Sequence, residues 1–257
     1  MQSQTHQSHP SRVTALGSKK RKNPISSLTA YDYPTAKILD DNGIDLILVG
    51  DSLGMVVLGH DDTTNVTIEM MAHHTSACRP AIHHAALVAD LPYKSYETPE
   101  QAIRSSNSLV LAGADGVKLE GGTEMIPQIS AIRETGIPVI GHIGFLPQSI
   151  KSEGSYKKKG KNSDEYSKIL ADAISLENAG VVAVVLESII SDLASEITNS
   201  LERPTIGIGS GNDCDGQIRV IHDIIGNFPW FTPPFAKPLC NVANEISSAV
   251  KKYIQSI

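Results

Sequence analysis

Three cysteines in 257 residues, Cys78, Cys214 and Cys240, are too few, too far apart and too odd in number for a disulfide framework. No C-x-x-C pair occurs, which excludes the common metal and redox uses of that spacing. A reducing compartment suits such a chain, so cytoplasmic residence is expected. No apolar run approaches the ~20 residues that span a bilayer, and Met1–Ser18 lacks the apolar core of a signal peptide. No membrane role is expected. Basic residues are not in excess: 22 Lys and Arg stand against 28 Asp and Glu, a net charge of −6. With no nucleic-acid-reading motif, that balance argues against a nucleic-acid partner. Internal repeats and long linkers are also missing, so the chain reads as one domain.

What is present is a repeated strand–turn–helix rhythm. The 40% hydrophobic content is enough for a large core, and the length is near that of a single (β/α)₈ barrel. Ile25–Thr29, Asp45–Val49, Ala85–Ala89, Gly116–Leu119, Ile137–Ile140, Val181–Leu186 and Thr205–Ile208 read as strands, with Ile218–His222 as an eighth. Short, continuous apolar runs of this kind belong to parallel strands buried on both faces. Helix starts are marked by Thr67, Thr98 and Ser163 as caps and by Pro34 and Pro99 at first helical positions. Glu245–Ile254 reads as a closing helix. Residues 1–23 read as a disordered tail ending in the basic run Lys19-Lys20-Arg21-Lys22, a solvated lead-in to a barrel domain over 24–257. The loop Gly144–Asn162 is long for a compact domain, and its run Lys157-Lys158-Lys159 suggests either a mobile cover or a solvated charge run.

The chemistry gathers where the strands stop. Asp51 and Ser52 follow the second strand, Asp90 the third, Lys118 and Glu120 the fourth, His142 the fifth and Glu187 the sixth. In a (β/α)₈ barrel those carboxyl ends form the active-site mouth. One such acid alone reads as a cap for the next helix, but three on nearby strands suit a hard cation such as Mg²⁺. Lys118 and Glu120 are two residues apart on a strand and share a face. The lysine then either binds an anionic substrate or merely pairs with Glu120. His142 stands between Gly141 and Gly144, which suits close approach of a ligand. Glu187 follows a wholly apolar strand, and burial there raises a carboxyl pKa toward the range of a general base. His73-His74 and His83-His84 match no zinc spacing. Gly207–Gly211 is a weak candidate for a phosphate-cradling turn, with tight packing as the plain alternative.

Taken together, these segments resemble the ketopantoate hydroxymethyltransferase (3-methyl-2-oxobutanoate hydroxymethyltransferase) family. The resemblance rests on Leu28-Thr29-Ala30-Tyr31-Asp32-Tyr33, Val49-Gly50-Asp51-Ser52-Leu53-Gly54-Met55, Ala89-Asp90-Leu91-Pro92-Tyr93 and Val117-Lys118-Leu119-Glu120-Gly121-Gly122. Gly141-His142-Ile143-Gly144, Pro147-Gln148-Ser149, Leu186-Glu187 and Gly207–Asn212 continue it in family order. It implies a (β/α)₈ TIM barrel of the phosphoenolpyruvate/pyruvate type. It also implies Mg²⁺ held by Asp51 and Asp90, with Glu120 bound directly or through water. Ser52, Lys118 and His142 would join Asp51 and Asp90 in binding a keto acid, with Glu187 as base. The donor would be 5,10-methylenetetrahydrofolate, the product 2-dehydropantoate formed through a Mg-stabilised enolate, and the assembly a homo-oligomer, often a decamer. The rival readings are a Mg²⁺-dependent lyase or mutase acting on another 2-oxo acid and a non-catalytic barrel.

Overall fold

The computed structural model describes residues 9–150, 157–231 and 233–257. Its strands are β1 (Ile25–Thr29), β2 (Leu46–Val49), β3 (Ala86–Asp90), β4 (Gly116–Glu120), β5 (Val139–Gly144), β6 (Ala183–Glu187), β7 (Thr205–Ile208) and β8 (Gly216–Arg219). Each pairs in parallel with its sequence neighbours, and β8 returns to β1 to close the barrel. The two faces of each strand bury different things. Leu46, Leu48, Ala86, Val88, Ile140, Val185, Ile206 and Ile218 fill the barrel interior. Their alternates Ile47, Val49, Leu87, Ala89, Val117, Leu119, Val184 and Leu186 pack outward against the helices. This double burial is why β2 is apolar throughout and β3 and β6 are apolar up to their final acid. Among the described residues no helix is long and apolar enough to cross a membrane.

Two expectations are corrected. Residues 1–23 are not an unstructured tail from Pro10 onward: Pro10–Leu16 is a helix. Its Val13 and Leu16, three positions apart on one face, are buried in the interior cluster and plug the amino-terminal end of the barrel. The basic run then ties down to the same end. Lys19 pairs with Asp45, and Lys20 Nζ lies 2.8 Å from Asp215 Oδ2. Residues 1–8 fall outside the described residues. The second correction is β8, which runs Gly216–Arg219 rather than 218–222, with Ile221–Ile225 forming a helix. The strand begins at a glycine because the barrel closes tightly there: a Cβ on Gly216 would lie 2.4 Å from the Ile25 carbonyl oxygen.

The amino-terminal end also holds a buried ion pair. Arg79 Nη1 meets Asp115 Oδ1 at 3.0 Å, and Asp115 Oδ2 accepts from Leu87 N at 2.9 Å, with Asp115 fully buried. Removing one partner leaves an uncompensated buried charge. Asp115→Ala should therefore lower the unfolding free energy by about 3–5 kcal/mol, read as a shifted denaturant midpoint. An unchanged midpoint would mean that the guanidinium finds other partners. The paired histidines have structural uses: the backbone N–H groups of His83 and His84 donate to Asp40, and His74 Nδ1 lies 2.7 Å from the Tyr31 carbonyl oxygen.

Candidate active site

Barrel register brings the strand-end residues together. Asp90 on β3 stands opposite Lys118 on β4, and Glu120 on β4 stands opposite His142 on β5. Glu187 on β6 is beside Gly144, the last residue of β5. Gly144 has φ 102°, and a Cβ there would lie 2.3 Å from the Glu187 carbonyl oxygen, so only glycine lets the two strand ends close. Gly141 instead abuts Leu176 of the surrounding helices. The glycines beside His142 thus serve packing, not ligand approach as the sequence suggested. Ser188, directly after Glu187, takes the left-handed conformation at φ 50°, an uncommon choice for a residue with a Cβ.

All seven predicted site residues, Asp51, Ser52, Asp90, Lys118, Glu120, His142 and Glu187, line one cavity of about 330 Å³ at the carboxyl ends of the strands. Lys118 Nζ lies 3.0 Å from Asp90 Oδ1, so its main partner is Asp90 across the ladder, not Glu120 on its own strand. Asp90 Oδ2 accepts from Asp51 N at 3.1 Å. Ser52 Oγ is 2.8 Å from the Tyr31 hydroxyl. Lys118 Nζ also approaches His142 Nδ1 at 3.3 Å. An ammonium can only donate, so Nδ1 is the acceptor and Nε2 carries the proton of the neutral ring. That Nε2 lies 3.3 Å from Glu187 Oε2.

Four of the cavity's carboxylates, Asp51, Asp90, Glu120 and Glu187, stand at the strand ends with Lys118, and the electrostatics follow. Burial, then repulsion from Asp90 and Glu120, raises the Asp51 carboxyl well above the ordinary range. Burial alone would lower Lys118, but Asp90, Glu120 and Asp51 hold it above the usual lysine value. Burial and then the Lys118 charge push His142 down, which keeps the imidazole neutral. Burial raises Glu187, while His142 pulls it back.

Sequence reasoning missed the residue that ties the carboxylates together. Gln148 Nε2 donates to Asp51 Oδ2 at 2.8 Å and its backbone N to Glu120 Oε2 at 3.1 Å, while its Oε1 accepts from the Tyr96 hydroxyl at 2.6 Å. It sits in the short turn Pro147–Ser149, where no periodicity marks it; only its place in the family motif pointed to it. The Gly207–Gly211 turn is spoken for by packing: Ser210 Oγ donates to the Leu186 carbonyl oxygen and accepts from Ile189 N. In the long loop, residues 151–156 lie outside the described residues. Lys158 is exposed and also tethered, its Nζ donating to the Gly209 carbonyl oxygen at 2.7 Å.

The ketopantoate hydroxymethyltransferase family profile matches residues 11–257. The chain belongs to the ketopantoate hydroxymethyltransferase family. A 3-methyl-2-oxobutanoate hydroxymethyltransferase of Acetivibrio thermocellus is 52% identical over 94% of this chain and 86% of that protein. One from Trichodesmium erythraeum is 50% identical over 91% and 90%, and one from Pyrobaculum neutrophilum 49% over 96% and 94%. Among solved structures, phosphoenolpyruvate phosphomutase from Streptomyces platensis subsp. rosaceus superposes with a TM-score of 0.69 at 13% identity, covering 95% of this chain and 88% of that one. A phosphonopyruvate hydrolase solved with oxalate and Mg²⁺ gives 0.69 at 12%, covering 95% and 87%. At such low identity they establish the fold alone, a (β/α)₈ TIM barrel, as expected.

A divalent ion fits the family site. Among the described residues no three His, Cys, Asp or Glu side chains form a ready-made cage. Mg²⁺ does not need one, since it takes one or two carboxylates and fills the rest with water and substrate oxygens. Burial, and then the crowding of Asp90 and Glu120, raises Asp51, and both are conditions a hard cation relieves. Asp51 and Asp90 would hold it, with Glu120 directly or through water.

Proposed function

We propose that the chain transfers a hydroxymethyl group from 5,10-methylenetetrahydrofolate to 3-methyl-2-oxobutanoate, giving 2-dehydropantoate. The observation that carries this reading is the placement of Glu187. A buried carboxylate, next to a neutral imidazole, faces the same cavity as an ammonium and three further acids. Mg²⁺ bound at the acids would supply Lewis-acid stabilisation of the charge that develops on the keto oxygen. Lys118 and Ser52 hold the anionic keto acid with its C3–H toward Glu187. The Glu187 carboxylate takes the C3 proton, and the C–H electron pair moves into the C2–C3 bond. His142, kept neutral with its proton on Nε2, faces Glu187 Oε2 from 3.3 Å and steadies that carboxylate electrostatically. C3 then bonds to the donor's methylene carbon. Delivering a methylene as a hydroxymethyl group consumes one water and releases tetrahydrofolate, so the protein's task is position and charge stabilisation.

The direct test is release of tetrahydrofolate that depends on 3-methyl-2-oxobutanoate, with 2-dehydropantoate in equal amount. Release at the same rate without keto acid contradicts the proposal. Lys118→Ala tests the anchor: the KM for the keto acid should rise far more than that for the folate. An unchanged keto-acid KM would reduce Lys118 to a structural partner of Asp90. Self-association is part of the same reading. The carboxy-terminal helix Val242–Ser256 buries none of its residues, and Ile246, Val250, Tyr253 and Ile254 are exposed on it. Three free cysteines suit a reducing cytosol.

A further inference from the structure

The chemistry of a keto acid leaves one wall of the cavity unused. That wall comes from the end of β8 and the segment after it: Arg219, Asp223, Phe228, Phe231 and Phe235. The chain is poor in aromatics and has only four phenylalanines, yet these three and Phe145, all four, line this one cavity. Phe235 carries the Arg219 guanidinium 5.4 Å above its ring, and Phe228 packs edge-on against Trp230 at 5.2 Å. Phe231 is left 54% exposed on the rim.

Asp223 lines the same cavity and is only 8% exposed. Among the described residues no hydrogen bond reaches its carboxylate; Arg219 is the cation it senses. Burial pushes its carboxyl up to about 6, so it is mostly ionised at neutral pH and can only accept. Such a group needs donors. A 2-oxo acid has none and is itself an anion, so Asp223 would repel it. The complementary ligand is a flat ring whose edge carries two adjacent N–H donors, because a carboxylate accepts such a pair bidentately and aromatic walls cover the ring faces. A 2-amino-4-oxo pteridine has that edge in its ring N3–H and its exocyclic amino group.

We propose that Asp223, together with Phe231 and Phe235 of the same cavity, is the subsite that binds the pteridine ring of the one-carbon donor. This rests on the reading of the chain as a folate-dependent hydroxymethyltransferase and adds to it the residues that recognise the donor. The cavity falls within the range of about 300–1,000 Å³ typical of ligand sites, more than a small keto acid alone requires. Asp223 and the catalytic carboxylates belong to one mouth: both Asp223 and Asp90 add to the burial that raises the Tyr31 phenol, whose hydroxyl bonds Ser52.

The test is calorimetric binding to the full-length protein, with tetrahydrofolate as probe and p-aminobenzoylglutamate, which lacks the pteridine, as control. Asp223→Asn places an amide against the ligand's donors and should weaken tetrahydrofolate by about tenfold or more while changing the control far less. Phe231→Ala, a change at an exposed position that leaves the barrel core alone, should weaken tetrahydrofolate severalfold with the same selectivity. If the wild type binds tetrahydrofolate and both variants bind it equally well, or lose both ligands alike, the subsite is wrong and the donor assignment stands. A wild type that exchanges C3–H of the keto acid but fails to bind tetrahydrofolate overturns the donor assignment, and the subsite with it.

Discussion

Glu187→Gln slows exchange of the C3 hydrogen of 3-methyl-2-oxobutanoate by about 10²-fold or more, the usual scale for loss of a general base. The amide keeps the size of the side chain and its place beside His142 Nε2, 3.3 Å away in the wild type, while removing the basic oxygen. Keto-acid binding should change little, because Lys118 and the three acids lie on other strands. The pH profile separates this role from a structural one. Burial raises the Glu187 carboxyl above the ordinary glutamate value, and a base works only when ionised. Wild-type exchange should therefore fall as the pH drops through that raised value, and the residual exchange of the variant should lack that acid limb. Near-wild-type exchange in Glu187→Gln would move the base to another group, with His142 first in line.

Asp90→Ala produces the second large effect, a loss of turnover of about 10³-fold. The estimate is several kcal/mol of charge stabilisation at ~1.4 kcal/mol per decade of rate. Asp90 holds Lys118 at 3.0 Å and accepts from the backbone of Asp51 at 3.1 Å, so its removal disturbs the metal position and the anchor together. Asp51→Ala should match it in lost Mg²⁺ affinity, measured by calorimetry, while leaving the Lys118–Asp90 pair in place. Retention of wild-type activity at limiting Mg²⁺ in either variant contradicts the metal assignment. Thermal unfolding near the wild-type temperature should accompany both, since these residues line the cavity at the strand ends, beyond the interior layer of Leu46, Leu48, Ala86 and Val88.

Much of this was legible in the residues because a parallel barrel writes its strands plainly. β2 to β6 are largely apolar runs whose polar residues lie toward or just past their carboxyl ends, where the mouth tolerates polarity. All seven predicted site residues reached one cavity for that reason. What failed to show has physical causes too. The helix Pro10–Leu16 carries only two buried apolar side chains within a polar stretch, so it looks like tail. β8 opens on Gly216, a poor strand former made necessary by the close approach of Ile25. Gln148 and Asp223 come from a turn and a short helix, whose side chains follow no period and are positioned by the finished barrel. The phenylalanines of 228–235 share a cavity with Phe145 through folding alone, being far apart in sequence.

The central claim is that this barrel mouth removes the C3 proton of the keto acid by itself, before any donor is involved. The most direct measurement is deuterium incorporation at C3 of 3-methyl-2-oxobutanoate, followed by proton NMR in D₂O with Mg²⁺ and no folate. The account predicts progressive loss of the C3–H signal in the presence of the protein, stopped by EDTA and restored by Mg²⁺. A C3–H signal that persists at the protein-free rate, under conditions where the complete reaction runs, contradicts it.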